Sequence, residues 1–126
     1  MLEIQERFDT AGYESIAVRA GAAELHITEA LDGDSVAGFI AYSYGAGKTV
    51  VYDYDDGGDS MLCDGLVRSV MLKSVLKGIN RMLFELADDD KFGALKKLRF
   101  LSGDSRLCSG LDSFMNSCKS CGKKKD

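Results

Sequence analysis

The chain has no proline and no tryptophan, and only one of its 126 residues is a histidine. The absence of proline excludes a rigid proline-rich linker, so we expect one compact domain over residues 1–118 and a flexible cysteine- and lysine-containing tail at 119–126. Long hydrophobic runs are also missing, which excludes a membrane-spanning segment. Apolar residues make up 45% of the chain and charged residues 29%, a balance typical of a globular protein.

Basic charge is neither abundant nor clustered. The net charge is −4, and the lysine run at 123–125 stands at the end of the chain, where it is interpreted as a solvated tail. Without a basic face, binding to nucleic acid is not indicated. The first ten residues lack the basic start and apolar block of a secretory signal, so we expect a cytoplasmic protein whose four cysteines are reduced thiols.

The first half of the chain has the residue pattern of a β-meander. Alternating, aromatic and β-branched residues predict strands over 2–8, 25–31, 35–44 and 48–55. Turn residues at 32–34 and 45–47 join the last three strands in antiparallel order. Residues 9–23 are predicted to be irregular, with at most a short turn of helix.

The hydrophobic period then changes to that of a helix. Apolar residues between Leu62 and Val75 recur on one helical face. Ser60 or Asp59 is suited to cap the start of this helix, and Gly78 is suited to end it.

A second strand–helix pattern follows and completes the fold. An apolar strand at 81–87 forms a strand–helix–strand crossover with parallel strands, and a helix is predicted at 89–99. A strand edge at 106–109 precedes a last helix, for which Ser109-x-x-Asp112 forms a capping box. The predicted fold class is therefore α+β, with a meander, one crossover and a helical C-terminal tail.

Two stretches of sequence in this order of elements point to a known family. The segment 62-LCDGLVRSVMLKSVLKGINRMLFEL-86 is similar to the cofactor helix and following strand of the GNAT superfamily of acyl-CoA-dependent N-acetyltransferases, and 94-ALKKLRF-100 resembles the end of its late helix. The resemblance covers residues 35–100 and implies a GNAT-like mixed sheet with a shortened N-terminal helical region. It also implies acetyl-CoA as the acyl donor, an amine as the acceptor and, as in many such domains, a homodimer.

The resemblance places the donor on the loop between the fourth strand and the long helix. In the family, the pantetheine arm bonds along a strand edge and the pyrophosphate lies on amides at the helix start. The implied cofactor-binding residues here are Gly57, Gly58, Ser60, Met61, Leu62, Cys63 and Asp64. The family pattern Q/R-x-x-G-x-G/A falls on 58-GDSMLC-63, so glycine is lost at Met61 and aspartates crowd the turn. We therefore expect weakened diphosphate binding, because like charges at about 4 Å repel by roughly 4 kcal/mol near a protein surface.

The implied chemistry is attack of an amine on the acyl thioester. Candidate bases are Asp53 and Asp55, and candidate acids are Tyr52 and Tyr54, since Leu95 stands where many family members have a tyrosine. Strand alternation predicts that the two tyrosines share one face and the two aspartates the other. In the structural alternative, the tyrosines belong to the core and the aspartates only keep a sheet edge soluble.

Other functions remain open from the residues alone. The first alternative is a non-catalytic binding or assembly module that keeps the fold without the cofactor loop. The second is a zinc or redox protein that uses Cys108, Cys118 and Cys121, although the second C-x-x-C pair of a zinc ribbon is missing. The acidic turn at 53–64 lacks two ligand positions of a calcium loop, and no metal site is assigned.

The remaining reactive side chains have simpler interpretations. Cys63 is interpreted as a small buried thiol beneath the acidic turn. His26 has no serine or cysteine partner nearby in sequence, so it is interpreted as a polar residue on a sheet face.

Overall fold

The structure, a computed structural model, describes residues 2–7, 9–21 and 23–114. The elements are β1 (Leu2–Glu6), α1 (Glu14–Ala20), β2 (His26–Asp32), β3 (Ser35–Tyr44), β4 (Thr49–Asp55), α2 (Ser60–Leu76), β5 (Arg81–Phe84), α3 (Lys91–Lys97) and β6 (Leu107–Ser109). The strands form one six-stranded sheet in chain order. A helical turn at 111–114 ends the described part of the chain.

The sheet combines a meander with one crossover. Strands β4 and β5 pair in parallel, and the other neighbouring strands pair antiparallel. Helix α2 connects the two parallel strands, as a parallel connection requires. The predicted α+β class, meander and crossover are confirmed. Within the described residues, no helix is long and apolar enough to span a membrane.

Helix α2 packs its apolar face on the sheet and is capped at both ends. Asp59 accepts hydrogen bonds from the first-turn amides, and Gly78 follows the helix with a φ of 81°. A buried hydrogen bond of 2.7 Å between Thr49 Oγ1 and Ser74 Oγ ties the helix to β4. The fully buried helix side chains are Cys63, Leu66, Val67, Val70, Met71 and Ser74.

Helix α1 covers the opposite face of the sheet and was not expected over its full length. The sequence predicted irregular structure at 9–23 with at most a short turn, whereas α1 has seven residues. Ile16 packs in a smaller core with Ile27, and the Tyr13 ring contacts Phe39 with 4.8 Å between centroids. The Tyr13 hydroxyl also donates a hydrogen bond of 2.5 Å to buried Glu29. These contacts are long-range, so the local sequence carries little sign of them.

Strand β4 separates from β5 after Val51. In the parallel register, Thr49–Val51 pairs with Met82–Phe84. Glu85 N–H then donates a hydrogen bond of 2.8 Å to Val51 O at the end of this pairing. In the register with β3, Val51 faces Tyr42 and Asp53 faces Ala41, so Tyr52 is an extra residue. Such a bulge bends the strand and increases its twist. The end of β4 therefore pairs with β3 on one side and with no described strand on the other.

The bulge overturns the predicted alternation of the β4 side chains. Tyr54 packs in the larger core with α2, whereas Tyr52 packs in the smaller core under α1. The two tyrosines therefore lie on opposite faces of the sheet. Asp53 and Asp55 are on the Tyr52 side, because the extra residue shifts the side-chain phase by one position.

The turn at 111–114 is capped differently from the prediction. The sequence predicted a capping box led by Ser109. Instead Asn80, which directly precedes β5, supplies the oxygens that accept from the first amides of the turn. Its side-chain Oδ1 accepts a hydrogen bond of 2.9 Å from Asp112 N–H, and its carbonyl oxygen accepts one of 3.2 Å from Leu111 N–H. Cys118, Cys121 and the predicted tail at 119–126 lie outside the described residues.

Substitution of Gly38 tests how closely β3 approaches the end of β4. A Cβ at Gly38 would collide with the carbonyl oxygen of Asp55 and lie 3.1 Å from Leu62 Cδ2. We expect Gly38→Ala to lower the free energy of unfolding by about 1–3 kcal/mol, measured by urea denaturation. Gly93→Ala in α3 is the control, since nothing lies within 4 Å of its Cβ position. Equal stability of the two variants would contradict this packing.

Candidate functional site

A small cleft lies between the end of β4, the loop that follows it and the start of α3. The cavity has a volume of about 190 Å³. We call it the β4–α3 cleft, and it is lined by Tyr54, Asp55, Asp56, Asp90, Lys91 and Ala94.

A side-chain pair occupies the free edge of β4 beside this cleft. The Lys91 ammonium donates hydrogen bonds of 2.7 Å to Asp53 Oδ1 and 2.5 Å to Tyr54 O. The same Asp53 oxygen accepts a bond of 2.8 Å from Tyr54 N–H. We call this arrangement the Asp53–Lys91 bridge. It satisfies both backbone groups of Tyr54, the donor and acceptor that an added strand or an extended ligand would use.

The Tyr54 side chain contacts both the backbone and the ammonium of Lys91. Its hydroxyl donates a hydrogen bond of 2.5 Å to Lys91 O, and the Lys91 ammonium lies 5.5 Å from the centre of its ring. Burial, together with nearby Cys63 and Asp56, raises the pKa of Tyr54. The phenol therefore keeps its proton at neutral pH and remains a hydrogen-bond donor.

The acidic loop at 55–59 uses its own carboxylates to satisfy its amides. Asp55 Oδ1 accepts from Gly57 N–H and Asp56 Oδ1 accepts from Gly58 N–H, both at 2.9 Å. Asp59 Oδ1 accepts from Met61 N–H at 2.9 Å. These amides are the groups on which an anion at the start of a helix would bind. The loop thus places a carboxylate at each of them.

The other predicted cofactor residues are divided between surface and core. Met61 is 82% exposed, whereas the side chains of Leu62 and Cys63 are buried in the larger core. Asp64 forms an ion pair of 3.0 Å with Arg68 on the same helix. Ser60 is exposed and begins α2.

The predicted catalytic residues are not all brought together. Asp53 and Tyr54 meet at the cleft through Lys91. The Tyr52 hydroxyl bonds instead to Ser43 Oγ at 2.9 Å, under α1. Asp55 is exposed and its carboxylate faces the Gly57 amide.

Sequence reasoning missed Lys91, the central residue of the cleft. Lys91 is 37 positions from Tyr54 in sequence, and it reaches that strand only because α3 begins next to it. The only local signal is a lysine directly after three aspartates at the start of a predicted helix. That pattern does not identify a partner on β4.

The cysteines and the histidine show no metal site in the described part of the chain. There, no group of three or more histidine, cysteine, aspartate or glutamate side chains is placed to hold a metal ion. Cys63 and Cys108 are buried free thiols. His26 lies on β2 with its Nδ1 2.9 Å from Glu6 Oε2. Because Cys118 and Cys121 lie outside the described residues, the zinc or redox hypothesis stays a prediction.

Comparison with solved structures shows which known fold the chain has. No protein-family model and no curated protein matches the sequence. Among solved structures, the ribosomal-protein-S18-alanine N-acetyltransferase from Escherichia coli is similar, with a TM-score of 0.58, 12% identity, and coverage of 85% of this chain and 88% of that one. A second structure, described as an acetyltransferase of the GNAT family from Desulfovibrio desulfuricans, has a TM-score of 0.59 and 12% identity. The match covers 82% of this chain and 87% of that one.

A third structure was solved with a ligand. The PaiA N-acetyltransferase from Thermoplasma acidophilum, in complex with coenzyme A, has a TM-score of 0.52 and 15% identity, over 74% of this chain and 65% of that one. At identities this low, the structural similarity shows a shared fold and no more. The chain therefore has the fold of the GNAT acetyltransferases, as its sequence predicted.

Loss of the Asp59 cap should destabilise the protein. We expect Asp59→Ala to lower the free energy of unfolding by about 1 kcal/mol, because two amides of the first turn of α2 lose their acceptor. Asp59→Ser keeps a capping oxygen and is the matched control. Urea denaturation measures both variants, and an alanine variant as stable as the serine variant would contradict the cap.

Cys63 should react slowly with iodoacetamide in the folded protein. Burial, with nearby Asp56 contributing, raises the pKa of its thiol to about 11. At about pH 8 roughly one thiol in a thousand is then ionised, and the thiolate is the reactive form. Peptide mass spectrometry of samples alkylated with and without urea measures the difference, and equal rates would show that the thiol is accessible.

Proposed function

We propose that this chain is an acyl-CoA-dependent N-acyltransferase that moves an acetyl group from acetyl-CoA to an amine. The observation that carries the proposal is the β4–α3 cleft, beside which β4 leaves its parallel neighbour after Val51 and bonds the backbone of Tyr54 to the side chains of Asp53 and Lys91 rather than to a strand. An extended thioester arm is suited to such an edge, because it can bond to the strand as a peptide does. The shared fold with acetyltransferases supports the same assignment.

Asp53 is the proposed general base. Its carboxylate already holds an amine nitrogen, that of Lys91, at 2.7 Å. This distance lies within the range for direct proton transfer. Asp55 is the weaker candidate, since its carboxylate is bonded to the Gly57 amide.

Tyr54 is the proposed acid for the leaving thiolate. Its phenol is protonated and lies at the cleft, bonded to Lys91 O. Tyr52 is less suited, because its hydroxyl is buried under α1 against Ser43.

The acidic loop is the proposed seat of the donor diphosphate, and it should hold that group weakly. To reach the amides of Gly57, Gly58 and Met61, a diphosphate must displace three carboxylates. Repulsion of roughly 4 kcal/mol for each charge pair at about 4 Å exceeds the attraction of a helix start, about 0.3–1 kcal/mol.

The same loop favours a second candidate function, a non-catalytic binding or assembly module. A loop whose amides are satisfied by its own aspartates is complete without a cofactor. Such a module would keep the acetyltransferase fold as a scaffold, and self-association into a homodimer is the simplest assembly it would form.

Stabilisation by acetyl-CoA separates the two candidates. For the acyltransferase, we expect the melting temperature to rise with acetyl-CoA concentration, with about 2.7 kcal/mol of stabilisation at a hundred times the dissociation constant. Absence of any shift at millimolar acetyl-CoA, in the wild type and in Asp56→Asn, would favour the module.

The sign of the salt dependence tests the role of the acidic loop. We expect acetyl-CoA to bind more tightly as ionic strength rises, because salt screens the repulsion between the loop and the diphosphate. Asp56→Asn should increase affinity and weaken this dependence. Glu24→Gln removes one exposed charge at the opposite end of the sheet and should change neither. Isothermal titration at several salt concentrations measures all three proteins, and affinity that falls with salt in the wild type would contradict the assignment.

A further inference from the structure

We propose that Lys91 is itself an acyl acceptor, so that the chain acylates its own Lys91 Nζ. This inference rests on the proposed function, because it needs a thioester in the β4–α3 cleft. Lys91 lines that cleft and its side chain is 28% exposed, so its amine is held in place and still accessible. The contacts of this amine hold the free edge of β4.

The position of the amine follows from its hydrogen bonds. Lys91 Nζ is fixed between Asp53 Oδ1 and the Tyr54 carbonyl oxygen, at 2.7 and 2.5 Å. A thioester that enters the cleft beside this bridge would therefore place its carbonyl carbon next to this nitrogen. Proximity of this kind replaces an encounter in solution by a reaction within one complex.

The bridge also supplies the base for the reaction. Asp53 takes one proton from the Lys91 ammonium, and the neutral amine attacks the thioester carbonyl. The new C–N bond forms, the C–S bond breaks, and the nitrogen gives up a second proton as the thiolate leaves. One of these two protons ends on the thiol sulfur and the other passes to water, so Asp53 returns to its charged form. The products are an amide at Lys91 and a free thiol.

Acylation would remove the bridge that now occupies the strand edge. An ammonium has a positive charge and three donor hydrogens, whereas the amide is neutral and has one. Acyl-Lys91 would thus lose the ion pair with Asp53 and cannot hold both Asp53 and Tyr54 O as the ammonium does. Self-acylation would therefore free a backbone group of β4 for other ligands.

Four other lysines, Lys73, Lys77, Lys96 and Lys97, lack this setting. Lys73 forms an ion pair of 2.8 Å with Glu6, and Lys77 lies over the ring of Tyr44. Lys96 and Lys97 are exposed on α3. Ordinary chemical acetylation would favour exposed amines, so selectivity for half-buried Lys91 distinguishes a directed reaction from a random one.

The test follows acetylation of each lysine in the full chain. The protein is incubated separately with acetyl-CoA and with S-acetyl-pantetheine, which has no diphosphate to meet the acidic loop. Peptide mass spectrometry over time measures the rate at each lysine. We expect Lys91 to react on the order of a hundredfold faster than Lys96 or Lys97, the size of effect that a positioned base contributes.

Matched variants separate the base from the fold. Asp53→Asn keeps the shape of the side chain and removes the base, so the rate at Lys91 should fall to that of Lys96. Glu24→Gln removes an exposed carboxylate at the opposite end of the sheet, outside the cleft, and should leave the rate unchanged. Lys91→Arg keeps the positive charge and should abolish the fast modification.

Each outcome has a separate meaning. A rate at Lys91 equal to those of Lys96 and Lys97, or one that Asp53→Asn does not change, would overturn the inference. If either thioester raises the melting temperature while Lys91 stays unmodified, self-acylation fails and the proposed function stands. If neither thioester stabilises or modifies the protein, both fail.

Discussion

The bulge at Tyr52 is the constraint on which the site depends. It turns the end of β4 away from β5, so the N–H and C=O of Tyr54 have no partner strand. Backbone groups in a partly buried cleft must find partners, because leaving them unpaired costs about as much as a lost hydrogen bond. The Asp53–Lys91 bridge supplies both partners from side chains. The separation of two strands thereby determines where a carboxylate, an amine and a phenol meet.

The acidic loop also has backbone groups that are satisfied by side chains. Its turn and the start of α2 present amides that no helix or strand satisfies, and the loop aspartates accept from them. This arrangement caps the helix and gives the turn a fixed shape. It also places negative charge where an anionic ligand would bind, so stability of the loop and affinity for a diphosphate are opposed. The cleft and the loop are thus both completed by the chain's own side chains.

Local sequence was sufficient to predict an element wherever the residue pattern of that element agrees with its packing in the fold. The predicted β3 has the bounds of the observed strand, and Asp59 and Gly78 cap α2 as their residue types indicated. It was insufficient where a distant contact decides the structure. Helix α1 is held by the packing of Ile16 and by the bond from Tyr13 to Glu29 on β2, and neither contact has a local signature.

The amino-acid sequence alone determined the α+β class, the order of the strands, the crossover around α2 and the acidic character of the loop. These depend on side-chain period, turn residues and charge, which are properties of neighbouring residues. Tertiary structure decided that Tyr52 and Tyr54 lie on opposite faces and that Lys91 meets Asp53. A bulge appears only when two strands pair, and residues 38 positions apart meet only when the sheet and α3 have formed.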